Sequence, residues 1–309
     1  MLENFFMVGQ QVLILFVLIL IGVCCSKLKI INEKSIAGMT NIVLYFVTPC
    51  VIIKSFQRTL KAEMVKGLLI VFGIAFVIHI ISILITKIFL KDNDENRLKV
   101  LRFSVIFSNC GFMSLPLQQA LMGDDGVFYG AVYVAAFNII VWSYGLFLMS
   151  GSKSDISIKK LVLNPGLIGV ALGLVLAICS IKLPYVIAQP VGYLAALNTP
   201  LPMIIIGFYV AQLDFKNLFK DVKKHISILL KLVVIPLLSI GVMILFGVRN
   251  ELLVVCTIAA SAPAAAMTTM FSTKFNRDTK LSAELVALST LISMITMPII
   301  IAFAQYLTL

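Results

Sequence analysis

Apolar residues fall in long runs along this sequence, separated by short polar stretches. Each run holds about 20 residues, enough for a helix rising 1.5 Å per residue to cross a hydrocarbon layer about 30 Å thick. The first run has Glu3 and no Lys or Arg before it, so we interpret it as a retained helix rather than a signal peptide. The pattern predicts an all-α membrane protein with ten transmembrane helices at residues 8–25, 36–56, 65–90, 100–121, 126–149, 163–181, 185–212, 226–247, 251–272 and 280–307.

Composition supports a lipid environment. Of 309 residues, 61% are hydrophobic and only 13% are charged. A soluble fold could not hide this much apolar surface, because polar residues must cover a large part of any surface that faces water. The polar gaps are about a dozen residues at most, so no soluble domain of useful size is expected.

The net charge of +11 does not predict nucleic-acid binding, because the basic residues are scattered over short loops. Five loops hold 18 of the 25 Lys and Arg residues, whereas the two termini and the other four loops together hold 6, and Lys231 lies inside a span. Cytoplasmic loops carry the excess of positive charge in membrane proteins. We therefore expect the basic loops in the cytoplasm and both termini outside the cell membrane. The basic loops are Lys27–Lys34, Lys87–Arg102, Lys153–Lys160, Lys216–Lys224 and Lys274–Lys280.

The two halves of the chain, residues 1–150 and 151–309, resemble each other. Cys-Ser ends the first and sixth spans, Thr-Pro lies within the second and seventh, and a polar break interrupts the fourth and ninth, with offsets between 151 and 154 residues. Five spans is an odd number, so the second copy must enter the membrane inverted. Inverted repeats with matching broken helices are typical of alternating-access transporters.

The two breaks are the strongest candidate site. Backbone groups cannot stay unpaired in hydrocarbon, so a helix is interrupted there only where protein, water or a ligand meets the free groups. Pro and Gly interrupt helices, and both occur with small polar residues in 108–116, while Ser261-Ala262-Pro263 marks the other break. If the breaks cross, two half-helix N-termini converge, which suits a carboxylate. Two proline kinks without any ligand are the simpler alternative.

These motifs, in order, resemble the auxin efflux carrier family, which includes plant auxin exporters and bacterial organic-acid permeases. Asn109-Cys110-Gly111-Phe112 with Leu115-Pro116-Leu117 resembles the family's fourth-helix signature, and the resemblance covers essentially the whole chain. A short link between the fifth and sixth spans resembles the compact bacterial members. The other matching positions are Asn138, Trp142, Gly145, Asn164-Pro165, Thr199-Pro200-Leu201-Pro202, Gly207, Ser261-Ala262-Pro263, Ser289-Thr290 and Pro298.

The resemblance implies a secondary carrier for small organic anions such as mono- or dicarboxylates. It also implies a scaffold of helices 1, 2, 6 and 7 that can form a homodimer, and a transport domain of helices 3–5 and 8–10 that moves like an elevator. The resemblance, together with the two breaks, indicates a set of candidate substrate-binding residues. They are Ser108, Asn109, Cys110, Gly111, Ser114, Pro116, Asn138, Ser261, Ala262, Pro263 and Thr290.

Ionisable residues within the spans are few. His79 in the third span and Glu284 in the tenth are candidates for proton coupling, because charged groups in membranes are functional suspects. His79 as a neutral packing residue, and Glu284 paired with Lys280 at i, i+4, are the structural alternatives. Neither break contains a carboxylate, so we predict no metal site, no cofactor and no strict sodium coupling, and leave proton coupling or uniport open.

Three other functions are considered. An intramembrane enzyme is disfavoured by the lack of an H-E-x-x-H motif and of paired carboxylates within the membrane. A sensor or receptor with a carrier-like fold would bind its ligand without net flux, and would usually carry a signalling domain. Among carriers, a sodium-coupled symporter of the bile-acid type is the alternative.

Overall fold

The structure is a computed structural model that describes residues 2–152, 163–212 and 221–308, so the basic loop 153–160 and part of 216–224 lie outside the described residues. This part of the chain is helical, with one isolated β-bridge and no strand. The helices are α1 Leu2–Lys27, α2 Glu33–Ser55, α3 Ala62–Phe89, α4 Glu95–Ile106, α5 Cys110–Ser150, α6 Pro165–Ile178, α7 Tyr185–Ala196, α8 Pro200–Ala211, α9 Val222–Leu245, α10 Asn250–Ser261, α11 Met267–Lys274 and α12 Thr279–Tyr306.

Helix starts follow from side-chain capping. An Asn or Asp side-chain oxygen accepts a backbone N–H of the first turn at five helices, the caps being Asn32, Asp94, Asn164, Asp221 and Asp278. Such caps satisfy donors that the first turn of a helix leaves free. Four of the five lie in or beside the basic loops, where short polar linkers join long apolar helices.

Within the described residues, seven helical stretches are long and apolar enough to cross a membrane. Four match predicted spans one to three and ten within a few residues at most ends, and α9 begins four residues before span eight. The stretch Tyr185–Ala211 joins α7 and α8. Two shorter apolar helices, α6 and α10, have 14 and 12 residues, so α6 is only about 21 Å long and α10 about 18 Å.

The long helix α5 reverses direction at Gly123. Its φ of +64° lies in the left-handed region that glycine adopts without strain. A Cβ on Gly130 would meet the side chain of Gln118 at 1.9 Å, although twelve residues of straight helix would separate the two by about 18 Å. The two arms of α5 are therefore antiparallel neighbours, and they correspond to the end of predicted span four and to span five.

The predicted breaks are real interruptions of the helical backbone. α4 ends at Ile106 and α5 begins at Cys110, inside predicted span 100–121. α10 ends at Ser261 and α11 begins at Met267, inside predicted span 251–272. Span 185–212 is also interrupted, between α7 and α8, at a point that the Thr199-Pro200 motif marks.

Two groups of helices can be described by their packing, and they contact each other where α1 packs on α12. α1 packs along α8 so closely that a Cβ on Gly22 would lie 2.3 Å from the backbone oxygen of Ile204, and α2 packs on α6 and α7. In the other group α5 packs on α3 and α10, and α12 packs on α10 and α11. Large apolar side chains remain exposed on the outer surface, among them Ile88, Ile178 and Leu245, as expected for a protein surrounded by lipid.

Candidate functional site

The two helix breaks meet and satisfy each other's backbone groups. Ser108 and Ala264 form an isolated antiparallel bridge. The N–H of Asn109 donates to the carbonyl of Pro263 at 2.7 Å, and the N–H of Ala265 donates to the carbonyl of Phe107 at 2.9 Å. This exchange explains how two stretches of irregular backbone can lie at membrane depth, where unpaired groups would cost several kcal/mol each.

Helix α12 supports the crossing from one side. The hydroxyl of Ser289 accepts a hydrogen bond from the N–H of Ala264 at 3.1 Å, so it satisfies a donor that the break leaves free. The neighbouring Thr290, which the sequence marked as a candidate, instead donates to the carbonyl of Val286 in its own helix at 2.7 Å. Of this pair of hydroxyl residues, Ser289 therefore contacts the crossing.

A small cavity of about 80 Å³ lies against the crossing. The first residues of two half-helices border it, Gly111 and Phe112 at the start of α5 and Ala266 and Met267 at the start of α11. Among the described residues, no ionisable side chain lines it. The described lining residues are Leu44, Thr48, Ser108, Asn109, Gly111, Phe112, Val134, Phe137, Asn138, Asn164, Pro165, Gly166, Ala265, Ala266 and Met267.

Asn109 carries the most informative polar group in this cavity. Its side chain is only 5% exposed, and its amide nitrogen Nδ2 has no hydrogen-bond partner in the described part of the chain. Burying an amide without a partner costs roughly 1–3 kcal/mol, and such a group in a native structure needs an explanation. The hydroxyl of Thr48, on the opposite wall, is likewise unpaired among the described residues. Both groups are available to a ligand in the cavity.

A pair of asparagines forms another part of the wall. Asn138 of α5 donates to the carbonyl of Val134 at 2.9 Å, and its Oδ1 accepts from Nδ2 of Asn164 at 3.1 Å. Asn164 in turn caps α6 by accepting from the N–H of Leu167 at 3.2 Å. One hydrogen bond between two amides thus joins α5 to the start of α6 beside the cavity.

A wider vestibule of about 570 Å³ continues from the cavity. The two spaces share Phe112, Asn138, Asn164 and Met267 among their lining residues. The vestibule follows α11 to Thr273 and Lys274. Lys274 begins one of the five basic loops, so the cavity is continuous with the basic face of the protein.

The structure brings four of the sequence-predicted site residues to the cavity wall: Ser108, Asn109, Gly111 and Asn138. The other predicted residues lie near the breaks without lining the cavity: Cys110, Ser114, Pro116, Ser261, Ala262, Pro263 and Thr290. Pro263 contributes its carbonyl to the crossing itself. Sequence reasoning missed Thr48 and Asn164 as wall residues, although each stands directly before a proline that it had singled out.

Comparison with known proteins places this geometry in a family. A model of the membrane transport protein family matches residues 7–301, nearly the whole chain. The chain belongs to this family, the auxin efflux carriers. It is also 24% identical, over 296 residues, to an uncharacterized transporter of Methanocaldococcus jannaschii, with 92% of this chain and 94% of that protein covered. The family resemblance seen in the sequence is confirmed, and the protein is a multi-span membrane transporter.

His79 lies inside the transporter, away from the cavity wall. It is 1% exposed, and its Nδ1 lies 2.6 Å from the carbonyl of Ala75 in the same helix. The rings of Phe107, Tyr133 and Phe137 surround the imidazole at centroid distances of 5.9–6.1 Å. This environment fits a neutral packing histidine, the structural alternative considered for it.

Glu284 forms an ion pair, but with a different partner from the one predicted. Its Oε2 accepts from the ammonium of Lys224 at 2.7 Å, whereas the sequence suggested Lys280. The pair is largely buried, since the side chains are 2% exposed for Lys224 and 13% for Glu284. Spacing along α12 could suggest only the neighbour at i, i+4, because the real partner lies on α9, 60 residues away.

Beside this pair the transporter has a cluster of charges at its basic face. Arg97 of α4 forms ion pairs with Asp92, Asp221 and Asp278, which precede α4, α9 and α12. The pKa of Asp92 lies below its ordinary value, since its carboxylate accepts the N–H of Asp94 and an ion pair from Lys223 at 3.1 Å. Its contribution to stability is therefore present near neutral pH and is lost as the pH falls through the lowered pKa. The cluster joins the N-terminal ends of α4, α9 and α12 by ion pairs.

Proposed function

We propose that the protein is a secondary transporter of small organic anions, mono- or dicarboxylates, and that the anion binds in the cavity at the crossing of the two broken helices. The observation that carries this proposal is the buried, unpaired Nδ2 of Asn109 in a cavity bordered by two half-helix N-termini. A carboxylate would accept a hydrogen bond from Asn109 and from the free N–H groups of both helices.

The charge of the site favours an anion over a cation. The N-terminus of a helix carries about half a positive charge, and the starts of α5 and α11 both border the cavity. No carboxylate in the described part of the chain lines the wall, and Lys274 lines the vestibule, where a positive charge raises the local concentration of anions. The apolar part of the wall, which includes Phe112 and Phe137, would hold the hydrocarbon part of the substrate.

For the mechanism we infer ten membrane segments arranged as two inverted five-helix repeats, residues 1–150 and 151–309. α4 with the first arm of α5 forms the fourth segment, and α10 with α11 forms the ninth. The antiparallel meeting of the two breaks and the reversal of α5 at Gly123 support this arrangement. Inverted repeats with broken helices at the midplane are the usual basis of alternating access.

We further propose an elevator movement of helices 3–5 and 8–10 of this ten-helix scheme against a scaffold of helices 1, 2, 6 and 7. Two features support it: α1 packs tightly on α8, within the scaffold, and the Arg97 cluster joins α4, α9 and α12, within the moving part. The hydrogen bond that the amide of Asn164 donates to Asn138 would then cross the sliding interface. A homodimer through the scaffold helices would hold that part still in the membrane.

Orientation follows from the charges. If the basic face is cytoplasmic, the vestibule that reaches Lys274 opens to the cytoplasm, and this conformation is inward-facing in the cell membrane with both termini outside. A cysteine placed in the Lys274–Lys280 loop of an otherwise cysteine-free variant should react with an impermeant maleimide only after the cells are permeabilised. Labelling in intact cells would reverse the orientation.

The test of the function is counterflow in proteoliposomes. Purified protein is first screened for thermal stabilisation by a panel of mono- and dicarboxylates, since a ligand at one hundred times its dissociation constant stabilises by about 2.7 kcal/mol. The best ligand is then measured for exchange across the membrane, with and without sodium. Exchange that needs no sodium supports the proposal. Strict sodium dependence would favour a bile-acid-type symporter, and binding without any flux would favour a sensor.

A further inference from the structure

Lys231 is a charged residue in the middle of the membrane helix α9 whose position no part of the proposed anion site explains. It is 2% exposed, and it does not line the cavity. Its ammonium Nζ lies 3.4 Å from the carbonyl of Ala260, in the last turn of α10 immediately before the break. Lysines are rare within membrane spans and generally serve a function there.

The charge of Lys231 has no counter-charge in the described part of the protein, where no carboxylate forms an ion pair with it. Lys224, two turns earlier on the same helix, differs in this respect because Glu284 neutralises it. What Lys231 faces instead is the C-terminal end of a half-helix, whose free carbonyls carry about half a negative charge. That end favours the ammonium form but does not cancel a full charge.

The other titratable side chains near Lys231 are poorly suited to exchange a proton with water. His79 is enclosed by aromatic rings, and Glu284 is held by Lys224. The charged residues of α4 lie in its first two turns, Glu95 to Arg102, at the basic face. Two titratable groups interact electrostatically with Lys231, His79 of α3 and Cys110 of α5, and Cys110 in turn interacts with Tyr133.

We propose that Lys231 binds the proton that this transporter carries together with its anion. The ε-amine is protonated when an anion occupies the cavity, and it releases that proton to water when the cavity is empty. The proposal rests on the proposed function. Its physical reason is charge balance. The ammonium lies at the end of α10, and a bound monocarboxylate would lie at the crossing that follows it, so the loaded moving part gains no net charge. An empty moving part with a neutral amine also carries no charge across the membrane.

Linkage gives the expected pH dependence. Because one bound proton favours one bound anion, the affinity for the anion should weaken as the pH rises through the titration of Lys231, by up to about tenfold per pH unit. This weakening of affinity with rising pH cannot come from titration of the substrate, because a carboxylic acid is fully ionised above about pH 6. Net uptake should follow a pH gradient and respond little to membrane potential for a monoanion.

The experiment measures anion affinity at several pH values between 6 and 10 for the wild type, for Lys231→Met and for the control Lys61→Met. Lys61 is an exposed lysine before α3. Lys231→Met fills similar space without a charge, so its affinity should be independent of pH and should match that of the wild type at high pH. Lys61→Met should keep the wild-type pH dependence. A wild-type affinity that does not change with pH, or a pH dependence that survives in Lys231→Met, would overturn the proposal.

A second variant tests the transport cycle. Lys231→Arg carries a permanent charge, so it should still exchange anion for anion in counterflow but should lose net uptake driven by a pH gradient. Full net uptake by Lys231→Arg would refute proton release from this position. If that variant proves unstable in a thermal melt, the wild-type pH series still decides. If no anion of the panel binds at any pH, the proposed function fails, whereas pH-independent binding refutes only the role of Lys231.

Discussion

Asn109→Ala is the most direct test of where the anion binds. The substitution removes an amide whose Nδ2 has no partner among the described residues, so the empty protein loses no hydrogen bond from that nitrogen. The backbone bond from Asn109 N–H to the Pro263 carbonyl remains, because it does not involve the side chain. We therefore expect the melting temperature of the ligand-free protein to stay the same or rise.

The affinity of Asn109→Ala for the anion, in contrast, should fall. A hydrogen bond to a charged ligand group is worth about 1.5–3 kcal/mol, so Asn109→Ala should weaken anion affinity by roughly 10- to 150-fold. The measurement is isothermal titration with the best anion of the panel, together with thermal melts of both ligand states. A separation of the two effects, unchanged apo stability with weaker binding, is the expected result.

The matched control is Asn198→Ala. Asn198 is also a buried asparagine, 4% exposed with an unpaired Oδ1 among the described residues, but it lies in a separate pocket with Lys54 and Gln119. It should leave anion affinity within about twofold of the wild type. If Asn109→Ala binds and transports as the parent does, or if both variants lose affinity equally, the crossing is structural and the anion site lies elsewhere.

Three further substitutions probe the cavity, the helix packing and the buried ion pair. Gly111→Val should leave the melting temperature unchanged, because a Cβ there meets no protein atom within 4 Å. It should weaken anion binding at least tenfold, because the side chain would occupy the cavity. A thermal melt measures the stability and a titration measures the affinity. Gly22→Ala should lower the melting temperature through a 2.3 Å clash with the backbone of α8, whereas Gly38→Ala, which meets nothing, should not. Glu284→Gln leaves a buried ammonium unpaired and should destabilise by about 3–5 kcal/mol in denaturant unfolding; an unchanged midpoint would contradict a buried pair.

Local sequence signals predicted an all-helical membrane protein, and breaks in the helical backbone do lie within the fourth and ninth predicted spans. Hydrophobic run length indicates where a helix can cross lipid, and Pro263 lies in the second break, between α10 and α11. The first break, between Ile106 and Cys110, instead precedes Gly111 and Pro116, which both lie within α5. The same reasoning made Asn109 and Gly111 candidate substrate-binding residues, and both line the cavity at the crossing. Helix ends shifted by a few residues, as at Glu95, because an Asp cap rather than hydrophobicity decides where the helix begins.

Contacts between distant segments could not be predicted in this way. The partner of Glu284 lies on another helix, and Thr48 reaches the cavity only because α2 packs against α6. A single sequence gives no distance between such positions. Lys231 is a different case, since a lone lysine inside an otherwise apolar span was visible from the start, and the rule that intramembrane charges are functional would have singled it out.

The position of Lys231 also explains how α10 can end at a break that contains no carboxylate to bind a sodium ion. A half-helix that ends at membrane depth exposes a negative terminus, which a nearby positive charge stabilises. In a cation-coupled carrier a bound ion could fill this role, whereas here the ammonium of Lys231 reaches Ala260, one residue from the end of α10. A built-in cation removes the need for sodium at that terminus, so independence from sodium and dependence on Lys231 should occur together. If the ammonium takes the place of a bound sodium ion, a variant that lacks it should gain sodium-stimulated anion binding. Stimulation of the wild type by sodium would contradict this idea.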